Sequence, residues 1–188
     1  MQNFLDNQNT YNPVPFSSFD IVATQNNTTV NIIPSNDIVG HTAGTPFSIV
    51  LNQGQSYSAT ATSGLAANHL HGSSVSADKP IAITMKDDLL SGAPFGGCAD
   101  IGGDQIIPLE RLGNEYIINR GFFFSLYDQV FILATQNGTN IDINGNPITT
   151  LNTGQTYNYA MGNANSAYIN AAAPIYVLQL SGFGCEVG

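Results

Sequence analysis

The chain has 188 residues, enough to bury one core or two small ones, and carries 4 basic against 13 acidic residues for a net charge of −9. Lys79, Lys86, Arg111 and Arg120 are its only basic residues, so no basic patch exists to neutralise a phosphate backbone, which excludes nucleic acid and disfavours an anionic membrane surface. Charged residues make up 9% and hydrophobic residues 43%, the reverse of a disordered chain's balance.

Residues 1–17 read as an N-terminal arm. Its opening, "MQNFLDNQNT", has neither the charged n-region nor the apolar h-region of a signal peptide, and no apolar run in the chain approaches the length of a transmembrane helix. Two readings remain: a cytoplasmic protein, or a segment of a larger secreted chain. The abrupt strand-like end "LQLSGFGCEVG" favours the second.

From residue 18 the periodicity is that of strands. "DIVATQNNTTVNI" (Asp20–Ile32) leads to "LNQGQSY" (Leu51–Tyr57), whose glycine suits a tight turn. His69 and His71 form a His-x-His pair that places both rings on one strand face, as zinc sites sometimes use. No third ligand has metal spacing, so surface strand histidines are expected, with His41 in a loop. In "IAITMKD", Ile81, Ile83 and Met85 alternate with Ala82, Thr84 and Lys86; one face is buried and one solvated, as in antiparallel sheets.

A stretch at about 86–121 follows. Asp87, Asp88, Asp100 and Asp104 are candidates for a structural calcium site, since calcium binds oxygen-rich loops; ordinary turn and capping aspartates are the competing reading. In "IIPLERLGNEY", Pro108 and Gly113 bound a short helical turn. "GFFFSLYDQVF" (Gly121–Phe131) is expected in a core, because three exposed phenylalanines would make an adhesive patch. Then "FILATQNGTNIDI" (Phe131–Ile143) alternates again, and Asn-Gly at 137–138 and 144–145 are strong hairpin signals.

Three blocks of the chain are written twice. Ala23-Thr24-Gln25-Asn26 returns at Ala134, an offset of 134 − 23 = 111. "LNQGQSY" returns as "LNTGQTY" at 151 − 51 = 100, and "DKPIAI" as "AAPIYV" at 172 − 78 = 94. Conserved order with shrinking spacing marks a duplicated β unit whose loops differ in length. The expected fold is an all-β, antiparallel β-sandwich built from two internally duplicated units, about 18–85 and 122–188, with one short helical turn near 108–113. The unduplicated stretch 86–121 is the expected seat of a specialised surface.

The two cysteines, Cys98 and Cys185, fit one disulfide in an oxidising compartment, worth about 4 kcal/mol from loop-closure entropy, or two buried thiols. Catalytic signatures are missing: there is no G-x-S-x-G elbow, P-loop or dinucleotide fingerprint, and paired-carboxylate chemistry has no support in the spacing.

The ordered series "ATQNNTTVNI", "LNQGQSYSA", "ADKPIAITMKDD", "CADIGGDQIIPLERLGNEY", "VFILATQNGTNIDI", "LNTGQTY" and "SGFGCEVG" resembles the IgG-Fc-binding protein N-terminal domain family, especially versions in large gliding-associated, adhesin-like surface proteins of the Bacteroidetes. The resemblance implies an extracellular or cell-surface β module of a longer chain, without a catalytic residue set or cofactor; Fc binding itself is not carried across. Positions matching the family's pattern are Asp78-Lys79-Pro80, Cys98, Asp104-Gln105, Pro108, Gly113 and Gly184-Cys185-Glu186, read as structural. The function expected is non-enzymatic adhesion to a protein or glycan. A structural spacer or self-associating subunit is the alternative, and a metal-dependent or carbohydrate-active hydrolase comes third.

Overall fold

The structure is a computed structural model that describes residues 12, 14–91, 99–121 and 128–181. Its chain divides into two compact units: Met1–Ser91 with Ala99–Ile106, and Gly92–Cys98 with Ile107–Gly188.

Unit 1 contains β1 (Ser17–Ala23), β2 (Thr28–Ile33), β3 (Phe47–Leu51), β4 (Ser56–Thr60), β5 (Ser74–Ala77), β6 (Ile81–Ser91) and β7 (Ala99–Gln105). They form two antiparallel sheets, ordered β4-β1-β6-β7 and β3-β2-β5. Unit 2 contains β8 (Glu115–Asn119), β9 (Gln129–Ala134), β10 (Thr139–Ile143), β11 (Asn146–Leu151), β12 (Thr156–Ala160), β13 (Ser166–Ala171) and β14 (Ile175–Leu180). Its sheets are ordered β12-β9-β14 and β11-β10-β13-β8.

Each unit is a sandwich with its own core. In unit 1, Phe19, Ile21 and Ala59 of one sheet pack with Val30, Ile32 and Leu51 of the other. In unit 2, Val130, Ile132 and Ile175 pack with Ile141, Ile143 and Ile169. Each fully buried isoleucine contributes about 1.5–3 kcal/mol of burial free energy. The alternation read from the sequence holds on β10, where Thr139, Ile141 and Ile143 are buried and Asn140 faces solvent.

The duplication is a duplication of six strands. β1–β6 correspond in order and pairing to β9–β14: Ala23 faces Ile81 as Ala134 faces Ile175, and Val30 faces Ala77 as Ile141 faces Ala171. The stretch 86–121, read from sequence as an insertion, supplies strands among its described residues. Lys86–Ser91 prolongs β6, β7 pairs with β6 in unit 1, and β8 pairs with β13 in unit 2. The two added strands therefore extend non-equivalent sheets. The short helical turn lies at Leu109–Arg111, bounded by Pro108 and by Leu112 rather than Gly113; a second such turn, Ala66–Asn68, lies in unit 1.

The Asn-Gly pairs part company. Asn144–Gly145 closes a true hairpin between β10 and β11, both residues at positive φ (54° and 77°), as a type I′ turn requires. Asn137–Gly138 does not make a hairpin, because β9 and β10 lie in different sheets: the chain arches from one sheet to the other. Side chains hold this arch to the neighbouring one. Thr153 N–H donates to Asn137 Oδ1 at 3.0 Å and Gly138 N–H to Asn152 Oδ1 at 3.2 Å. In unit 1, Gln53 N–H donates to Asn26 Oδ1 and Asn27 N–H to Asn52 Oδ1, both at 3.1 Å. Buried Thr28 and Thr139 each close their own arch with a 2.8 Å bond to Gln25 O and Gln136 O. The repeated line is a clasp between two sheet-crossing turns.

Candidate functional site

At the clasped end the units match residue for residue in length. The connections 24–27, 52–55 and 78–80 of unit 1 correspond to 135–138, 152–155 and 172–174 of unit 2, four, four and three residues in each. The family-pattern residues Asp78, Lys79 and Pro80 work here. Asp78 Oδ1 accepts Thr29 N–H at 2.8 Å, Lys79 Nζ donates to Asn26 O and Asn27 O at 2.6 and 2.8 Å, and Pro80 O accepts the Thr24 hydroxyl at 2.6 Å.

The opposite end differs. Unit 2 joins β10 to β11 with two residues, 144–145, and β12 to β13 with five, 161–165. Unit 1 uses thirteen at each place, 34–46 and 61–73. These long connections are built into each other. Ile38 bridges to both His41 and Ala61, Val39 N–H donates to Thr60 O and Thr62 N–H to Asp37 O, Ser35 N–H bonds Ser73 Oγ at 3.0 Å, and Asn36 Nδ2 donates to His69 O at 2.8 Å. The His41 ring stacks on Phe47 at 3.5 Å between centroids. Buried Ile38 and Leu70 fix the pair to the core.

Between them lies a cleft of about 180 Å³ lined by Asn36, Asp37, Ala43, Thr62 and Asn68. Asp37 Oδ1 accepts Ala43 N–H at 2.8 Å, which shapes the 34–46 turn around the carboxylate. None of these residues stood out in the sequence. The signal was present in the repeat offsets: the falls from 111 to 100 and from 100 to 94 fall at these two connections.

The histidines correct the sequence reading. His69 is not a surface strand residue; it follows the Ala66–Asn68 turn and is fully buried, its Nδ1 3.1 Å from Oδ2 of equally buried Asp87. Asp87 Oδ1 also accepts Leu89 N–H at 3.2 Å. The carboxylate, a calcium candidate in the sequence, anchors the long 61–73 connection to β6. Burial pushes His71 down to about 4, with neighbouring His69 adding to the shift. Asp88, on the exposed face, approaches Phe16 N–H at 3.5 Å, and Asp104 Oδ1 accepts Gln105 N–H at 2.7 Å; Asp100 lies opposite Leu90 across β6 and β7. Among the described residues no group of three or more His, Cys, Asp or Glu is placed to hold a metal. Cys98, Cys185 and Phe122–Phe124 lie outside the described residues.

Unit 2 buries an acid at the corresponding place with different partners. By register, Ser17 faces Asp87 in unit 1; one step beyond the Leu180–Gln129 pair, Ser181 stands opposite Asp128 in unit 2. The acid has changed strands. Asp128 Oδ2 accepts Gly121 N–H at 2.6 Å, the Ser181 hydroxyl at 3.0 Å and Gln179 Nε2 at 3.1 Å, three neutral donors where unit 1 uses a histidine.

Fold and site together define a twice-built β-sandwich module with one plain copy and one elaborated copy. No helix among the described residues is long and apolar enough to cross a membrane. The profile of the family described as IgGFc binding protein matches residues 3–186, nearly the whole chain, and the chain belongs to that family. Neither the curated proteins nor the solved structures contain a match to it.

Proposed function

We propose that the chain is a non-enzymatic extracellular binding module of a larger secreted or cell-surface protein, and that it meets its partner, a protein or a glycan, on the elaborated end of unit 1. One observation carries this reading. The same six-strand scaffold closes in unit 2 with connections of two and five residues, so folding does not require the thirteen-residue connections of unit 1, and loops on a rigid scaffold are where binding residues concentrate. Family membership supports a binding role. The cleft's single carboxylate, Asp37, supports binding over hydrolysis, which in most glycosidases needs two acids.

Val39 and Leu65, 67% and 51% exposed, stand on the two connections and provide the test. The purified chain is expected to bind a subset of extracellular proteins or glycans on an array, and Val39→Asp with Leu65→Asp is expected to weaken that binding while leaving the β spectrum intact. A blank array at high protein concentration would sink the adhesive reading. A spacer or self-associating subunit is the second reading, favoured by Ile117 on edge strand β8, 73% exposed and opposite Tyr168. Light scattering that shows concentration-dependent assembly, abolished by Ile117→Lys, would favour it.

A further inference from the structure

We infer that the unit 1 cleft holds one ring of a neutral, hydroxyl-rich saccharide. The inference rests on the reading of the elaborated end as the binding face, and it comes from the hydrogen-bond inventory of the lining residues. Asn36 Nδ2 points at two carbonyls, His69 O at 2.8 Å and Ala67 O at 3.4 Å. That fixes the amide's orientation and leaves its Oδ1 as an acceptor. Asp37 spends Oδ1 on Ala43 N–H, and Oδ2 has no partner among the described residues. Thr62 donates its hydroxyl to Asp37 O at 3.3 Å and keeps its lone pairs. The Asn68 side chain makes no hydrogen bond among the described residues, so it offers one acceptor and one donor group.

Acceptors thus outnumber donors in the cleft, and the ligand must donate. Sugar hydroxyls do so while also accepting from Asn68 Nδ2. A carboxylate or sulfate group brings only acceptors; it would face Asp37 and a chain of net charge −9 with no cation among the lining residues. An apolar ligand would strip water from four polar side chains without replacing their bonds, at about 1–3 kcal/mol for each group left unpaired. A volume of about 180 Å³ lies below the roughly 300 Å³ where sites for drug-sized ligands begin, which suits one ring at the end of a chain.

The test uses the full chain with methyl glycosides of neutral hexoses in saturation-transfer NMR, alongside an array of neutral, sialylated and sulfated glycans. Binding is expected to neutral termini only. Asn68→Ala, which removes a side chain with no bonds among the described residues, is expected to weaken it at least tenfold, and Ala43→Phe to abolish it by filling the cleft, both with an unchanged amide spectrum elsewhere. Sugar binding untouched by both variants overturns the inference. So does a preference for sialylated or sulfated glycans, or calcium chloride alone shifting the cleft amides while sugars do not. If no sugar binds but a protein partner is lost on mutating Val39 and Leu65, the saccharide is overturned and the binding face stands; if neither kind of binding depends on these residues, both fall.

Discussion

The two units are one scaffold finished in two ways. Unit 2 is the plain copy: tight connections at both ends, an acid held by neutral donors, and no histidine. Unit 1 keeps the same clasp of asparagines but grows two thirteen-residue connections at the opposite end, and it fastens one of them with a buried histidine against Asp87. The difference separates what the fold needs from what has been added to it. The arches, the cores and the buried acid are common property; the cleft, the His41–Phe47 stack and His69 belong to unit 1 alone.

If that separation is real, damage to one unit's acid stays in that unit. Asp87→Ala removes the carboxylate beside the buried His69 ring and the acceptor of Leu89 N–H and is expected to destabilise unit 1 by about 3 kcal/mol, read as lost amide protection in peptides of 17–91 with 129–180 unchanged. Asp128→Ala removes the acceptor of Gly121 N–H and the Ser181 hydroxyl and is expected to cost unit 2 about 2 kcal/mol, with the opposite exchange pattern. Equal loss in both units from either variant would show that they are not independent copies.

Acid should tell the units apart without mutation. The folded-state value of His71 is lowered to about 4, below the ordinary 6.5, so the unfolded chain binds the extra proton first as pH falls. Unit 1 therefore keeps its full stability above about pH 6.5 and loses it progressively toward pH 4, by about 2 kcal/mol after allowing for partial solvent screening. Unit 2 has no histidine and no such step. Residue-resolved exchange at pH 7 and pH 4.5 reads the difference, and His71→Gln is expected to remove it.

The smallest effect lies in the clasp. Gly138 sits at φ 71° where unit 1 has Asn27 at φ 52°. A Cβ at Gly138 would meet nothing within 4 Å, so Gly138→Ala tests backbone strain alone and is expected to cost about 1 kcal/mol. Asn27→Gly is expected to stay within about 0.5 kcal/mol, because asparagine already tolerates that region. A urea titration followed by NMR separates the two.

Much of this was legible in advance. Alternation in "IAITMKD" and "TNIDI" placed β6 and β10, the repeats gave the duplication, and Pro108 marked the helical turn. Two things were hidden for physical reasons. An Asn-Gly pair reads the same in sequence whether the chain reverses within a sheet, with both residues at positive φ as at 144–145, or crosses to another sheet with only Gly138 there; strand pairing with distant Tyr157 and Val177 decides which. Likewise, nothing local marks His69 as buried, because its partner Asp87 arrives eighteen residues later (87 − 69) from another strand. The cleft was traceable only as lengths, in the shrinking offsets, since its residues are ordinary loop residues.

The non-equivalent placement of β7 and β8 bears on mechanics. Tension carried along the chain enters unit 1 at the start of β1 and leaves at the end of β7, two strands of one sheet that flank β6 and run in the same direction. Pulling them in opposite senses shears both ladders at once, so many hydrogen bonds resist together. In unit 2 the load enters on β8 and leaves on β14, which lie in different sheets, and crosses through contacts such as Gln179 Nε2 to Asn119 O at 2.7 Å. Single-molecule stretching is expected to show two ruptures, unit 2 yielding at the lower force; equal forces, or the reverse order, would contradict this load path. The elaborated copy, which carries the cleft, is then also the copy that stays folded longest under pull.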